Sequence, residues 1–144
     1  MKSVNLYELK KIQTNFPVEK ITSSKNASNF IKQFYGDDID IFESCFILLL
    51  NNSNNTIGYA KISQGGITGT VVDIRLIAKY AVESLATGVI LAHNHPSGTL
   101  SPSQADINIT DKTKKALETL DIKLLDHLIL TNDDYYSLSD NGKM

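Results

Sequence analysis

The chain has 144 residues and a mass of 15.9 kDa, enough for one domain and short for two independent cores. Hydrophobic residues make up 42% and charged residues 21%, globular proportions that exclude a largely disordered chain. Lys+Arg total 14 against 16 for Asp+Glu, and the net charge of -2 excludes a general polyanion-binding surface.

The single cysteine, Cys45, excludes an internal disulfide and any Cys-rich zinc site. No apolar run approaches the roughly 18 residues needed to span a bilayer. The first residues, Met1 to Glu8, contain no apolar signal core. A cytoplasmic protein with no membrane association is therefore expected. Residues 1–40 read as a polar N-terminal extension, partly helical, and 41–144 as the main domain.

In chain order, Val4 to Ile21 fits a loose helix or a strand, without a choice between them. Ala27, Phe30, Ile31 and Phe34 fall at helical spacing, which predicts a helix over Ala27 to Tyr35. Ser24 suits its N-cap and Gly36 its stop. A strand follows over Phe42 to Leu50, its end set by the run Asn51 to Asn55. A second strand, Thr56 to Ser63, completes a hairpin, and Gln64-Gly65-Gly66 breaks the pattern. Val71 to Leu85 carries Ile74, Ile77, Ala78, Ala81 and Leu85 on one face, an amphipathic helix ended by Thr87-Gly88. Val89 to Ala92 reads as a buried strand, Pro102 to Leu120 as a long helix and Lys123 to Leu130 as another strand. Asn132-Asp133-Asp134 turns the chain into a last strand near Tyr135 to Leu138. Helices alternating with strands, with one hairpin, predict an α/β fold whose mixed sheet is flanked by helices.

The informative stretch starts where the Val89–Ala92 strand ends. Strand side chains alternate between faces, so His93 and His95 share one face and Asn94 takes the other. Two imidazoles so placed suit a zinc-type metal. Pro96, Ser97 and Gly98 then force a turn. Ser101 suits the N-cap of the next helix, with Pro102 at its first position and Gln104 closing a capping box. Ser103 and Asp106 stand three apart, on one helix face. A turn that folds this helix start back brings Asp106 to the two histidines, with Ser103 beside it. Two histidines and one carboxylate leave the fourth tetrahedral position open, as catalytic zinc sites do.

Hydrolysis also needs a proton acceptor that is not a ligand. Glu43 is the candidate, on the strand face of Cys45, Ile47 and Leu49, where a carboxylate is costly unless partnered. It can take a proton from metal-activated water and pass it to the leaving amine. Ser103 can donate to the developing oxyanion. Asn94 and Ser97 read as turn-holding residues, His127 as a satisfied core histidine, and Lys112, Lys114 and Lys115 as a solvated face.

His-x-His-x7-Ser-x2-Asp with an upstream Glu resembles the JAMM motif of the JAB/MPN metalloproteases. His93 to Gly98, Ser103 to Asp106, Leu125-Asp126-His127, Ile62 to Gly66 and Arg75 resemble its RadC-like branch, over roughly residues 40–142. The resemblance implies a curved sheet in a cytidine-deaminase-like three-layer α/β/α core. It also implies one Zn2+ per chain held by His93, His95 and Asp106, with Ser103 and Glu43 in the motif's remaining roles. The implied activity is cleavage of peptide or isopeptide bonds in a protein or peptide substrate. Longer RadC proteins carry a helix-hairpin-helix region, and residues 1–40 show no such pattern. A DNA-repair module and a non-catalytic metal-holding scaffold are the alternatives; the net charge of -2 argues against nucleic acid as a partner. A nucleobase deaminase is excluded, since one cysteine cannot supply its zinc ligands. A homodimer is compatible with the sequence.

Overall fold

A computed structural model describes residues 1–65 and 71–144. Helix α1 spans Ser24–Lys32 and is followed by a 3-10 turn, Asp37–Asp40. Strands β1 (Ser44–Leu50) and β2 (Thr56–Gln64) form the hairpin. Helix α2 (Ile74–Glu83), strand β3 (Gly88–Asn94), helix α3 (Gln104–Glu118) and strands β4 (Lys123–Leu130) and β5 (Tyr135–Ser137) complete the order.

The five strands form one sheet in the order β2-β1-β3-β4-β5. Only β3 and β4, joined through α3, are parallel; the other pairs are antiparallel. The sheet is therefore mixed, as the hairpin requires. Every residue of β1 and β3 is buried, which is why Phe46 to Leu50 and Val89 to Ala92 read as unbroken apolar runs. Alternation divides them between two cores. Cys45, Ile47, Leu49, Val89 and Leu91 pack with Ile77 and Ala81 of α2 and Leu117 of α3. Leu48, Leu50, Ile90 and Ala92 pack on the other face with Ala27, Phe30 and Ile31 of α1. Helices thus cover both faces, in three layers. Helix α1, from the stretch read as an extension, supplies one of those layers.

Several boundaries differ from the sequence reading. Ser23, not Ser24, caps α1, its hydroxyl accepting from the Asn26 amide at 3.1 Å. The helix stops before Gly36 because Phe34 and Tyr35 amides bond three residues back, tightening the last turn. Val4 to Ile21 forms neither a helix nor a strand: its last residues meet the start of β2 through the bridge Lys20 to Asn55 and the Thr56 amide, which donates to Glu19 O at 2.8 Å, and Phe16 packs against Tyr59. Helix α2 starts at Ile74 because Asp73 accepts from the Arg75 amide, and it closes ahead of Leu85, whose φ is 60°. Of the Gln64-Gly65-Gly66 break, Gly66 lies outside the described residues. No helix among the described residues is long and apolar enough to cross a membrane.

Candidate metal centre

Strand β3 ends beside β4, and the His95 amide extends their pairing by donating to Leu130 O at 2.9 Å. The chain then turns sharply: the Gly98 amide donates to His95 O at 3.0 Å. Gly98 has a φ of +85°, a conformation that an L side chain resists. His93 and His95 project on the face of Cys45, which pairs directly with His93 across β1 and β3. Asn94 points away and is fully buried.

Helix α3 starts two residues later than the spacing of Ser101 and Gln104 suggests. Ser103 is the N-cap: its Oγ accepts from the Asp106 amide at 3.0 Å, and Asp106 Oδ2 accepts from the Ser103 amide at 2.8 Å. A carboxylate closes this box more strongly than the Gln104 amide could close the earlier one. The same box fixes the Asp106 carboxylate at the helix start, turned toward the histidines.

Among the described residues, Glu43, His93, His95 and Asp106 form a group that can hold a metal ion, with one ligand atom from each lying within 4.8 Å of the others. His93 Nε2 is 2.9 Å from His95 Nε2, 3.2 Å from Asp106 Oδ1 and 3.8 Å from Glu43 Oε1. His95 Nε2 is 3.4 Å from Asp106 Oδ2. Glu43 stands one residue ahead of β1, and its carbonyl accepts from the Gly65 amide at 2.8 Å. Ser103 adjoins the group through its two hydrogen bonds with Asp106.

The donor chemistry fits a cation. Thr99 O is 2.7 Å from His95 Nδ1 and can only accept, so Nδ1 carries a hydrogen and Nε2 is the nitrogen that faces the site, open to a metal ion or, without one, to a proton shared with Asp106. Nitrogen lone pairs and carboxylate oxygens at these distances repel unless a proton or a metal ion lies among them. Imidazole and carboxylate together suit zinc and related divalent metals. The titration behaviour reflects the same crowding. The hydrogen bond to Asp106 raises the His95 imidazole above its ordinary value, against the effect of burial. Burial pushes the Asp106 carboxyl up, but the neighbouring His93 and His95 imidazoles outweigh it and hold it well below the usual range. Burial, aided by the Glu43 carboxylate, pushes the Cys45 thiol up and keeps it protonated.

Two residues read as structural also shape the site. His127 is buried, as a core histidine should be, yet its Nε2 lies 2.7 Å from His93 Nδ1. The β3–β4 register brings it there, and no local pattern announces that pairing. Asn94 bonds to the backbone of Ile39, Phe42 and Ser44, on both sides of Glu43, and so holds the segment that carries it.

Comparison with known proteins agrees with this architecture. The family model described as RadC-like JAB domain matches residues 21–143, so the match begins upstream of residue 40 and includes α1. A UPF0758 protein of Flavobacterium johnsoniae is 53% identical over 125 residues, covering 87% of this chain and 54% of that protein. A UPF0758 protein of Porphyromonas gingivalis is 44% identical over 125 residues, 86% of this chain and 54% of its own length. One from Cellvibrio japonicus is 45% identical over 96 residues, 67% of this chain and 43% of its own length. The chain thus spans about half the length of the curated relatives it matches. With its mixed sheet, its His-x-His strand end and a match over most of its length, the chain belongs to the RadC-like JAB domain family.

Proposed function

We propose that the chain is a zinc-dependent hydrolase of peptide or isopeptide bonds. The observation that carries this reading is the convergence of Glu43, His93, His95 and Asp106 within 4.8 Å. His93, His95 and Asp106 would hold the zinc, one ion per chain. Zinc bound there supplies Lewis acidity and an activated water at neutral pH. Glu43 faces the same point and takes the proton of the attacking water, then gives it to the leaving amine. Ser103, at the rim of the site, donates its hydroxyl hydrogen to the oxygen of the scissile carbonyl. The substrate is a protein or peptide.

The test compares the wild type with Glu43→Gln on zinc-loaded protein, using a peptide and isopeptide substrate panel. Cleavage by the wild type and a loss of about 10^2 to 10^4-fold in Glu43→Gln, with zinc retained, is the expected result. Equal cleavage by both proteins would remove Glu43 from the chemistry. A zinc-loaded wild type that cleaves nothing would favour a metal-holding scaffold instead.

A further inference from the structure

Behind the candidate ligands runs a short buried chain of polar groups. Thr110 Oγ1 lies 2.6 Å from the Asp106 backbone carbonyl and 2.5 Å from His127 Nδ1. His127 Nε2 lies 2.7 Å from His93 Nδ1. Thr110 is 0% exposed and His127 1%, so water does not compete for these contacts.

The direction of every hydrogen in this chain follows from its first member. A carbonyl oxygen has no hydrogen to give, so Thr110 must donate to Asp106 O. A hydroxyl has one hydrogen, so toward His127 it can only accept. His127 Nδ1 therefore carries a hydrogen and donates it to Thr110. A buried, neutral imidazole with hydrogen on Nδ1 has a bare Nε2. That nitrogen accepts from His93 Nδ1, and the second nitrogen of His93 is left bare on the side of His95 and Asp106. The backbone of the residue that offers the carboxylate thereby selects which nitrogen of His93 faces the metal position.

We propose that Thr110 and His127 are positioning residues that hold His93 in its Nδ1–H tautomer and so prepare Nε2 as a metal ligand. The inference rests on the metal-site reading above. Histidine ligands commonly have the second nitrogen bonded to a carboxylate, carbonyl or water. Here an imidazole takes that place and passes the constraint to helix α3. Thr110 lies four residues after Asp106, one turn further along α3. One helix thus offers a candidate ligand and orients another. A second ring hydrogen would put a charge on a side chain that is 1% exposed and, among the described residues, has no carboxylate partner of its own, which burial opposes.

The 144-residue chain tests this with Thr110→Val, which is isosteric but lacks the hydroxyl, and Thr110→Ser, which keeps the hydroxyl and loses the methyl group. Zinc affinity is read by competition with a chromogenic chelator, and the His127 tautomer in metal-free protein by long-range 15N–1H correlation. The wild type is expected to show hydrogen on His127 Nδ1. Thr110→Val should lose that signature and bind zinc about tenfold more weakly. Thr110→Ser should keep both, which a loss of packing alone would not produce. Hydrogen on His127 Nε2 in the wild type, or unchanged zinc affinity in a folded Thr110→Val, would overturn the proposal. A wild type that shows the expected tautomer but binds no zinc would overturn the metal-site reading and leave the tautomer relay standing as a structural one.

Discussion

Asn94 Oδ1 accepts the Ser44 amide hydrogen at 2.7 Å, across the start of the pair β1–β3. Its Nδ2 donates to Ile39 O at 2.6 Å and Phe42 O at 2.7 Å. One side chain therefore satisfies three backbone groups on either side of Glu43. The alternation that aims His93 and His95 at the site aims Asn94 at the segment that carries the proposed general base. Asn94→Ala leaves these groups unpaired and should lower stability by roughly 2–4 kcal/mol. Urea denaturation of the two proteins measures the difference. A loss under about 0.5 kcal/mol, the scale of an ordinary surface change, would show that the bonds do not hold this segment.

Ser103 has two separable duties. As the N-cap of α3 its oxygen accepts from Asp106, and as a proposed oxyanion donor it supplies a hydrogen. Aspartate also caps helices but, ionised, cannot donate. Ser103→Ala should cost about 0.5–2 kcal/mol by loss of the cap. Ser103→Asp should keep the thermal midpoint near that of the wild type while losing most of the turnover. Full activity in Ser103→Asp would confine this residue to capping.

Asp126 is buried and accepts from the His127 amide at 2.7 Å, Ser137 Oγ at 2.6 Å and the Ser139 amide at 3.1 Å. Burial raises its carboxyl above the ordinary value, although those bonds pull the other way. The sign for stability is opposite to that of an ion-paired aspartate. The folded state takes up the proton at higher pH than the unfolded chain does. The group therefore disfavours the fold at neutral pH, and that penalty fades as pH falls through its raised value. Asp126→Asn keeps an oxygen for the two amides and offers its NH2 to Ser137. Its stability at pH 7 should match or exceed that of the wild type, with a flatter profile from pH 7 down to about 4. Denaturant titrations across that window check it; a strongly destabilised Asp126→Asn at pH 7 would contradict it.

What could be read in advance follows the range of each interaction. His93 and His95 share a face because strand geometry is local, and Asp106 joins them after one short turn. The sequence reading places the start of α3 two residues early because Ser101-x-x-Gln104 resembles a capping box as closely as Ser103-x-x-Asp106 does. Only the folded chain shows the carboxylate box in use. The apolar residues Val4, Leu6 and Ile12 are exposed, so no packing among the described residues fixes a period for them. The contact of His127 with His93 depends on the register of two parallel strands 34 residues apart in sequence, and nothing near either residue encodes it.

The convergence of His93, His95 and Asp106 has meaning only if those side chains bind a metal. Purified wild type and His95→Ala, each dialysed with zinc and then against metal-free buffer, can be weighed by native mass spectrometry. About one zinc per wild-type chain, as a catalytic site requires, and none in His95→Ala is the expected pair of masses. A folded wild type that carries no zinc, or a His95→Ala that carries as much, would contradict it.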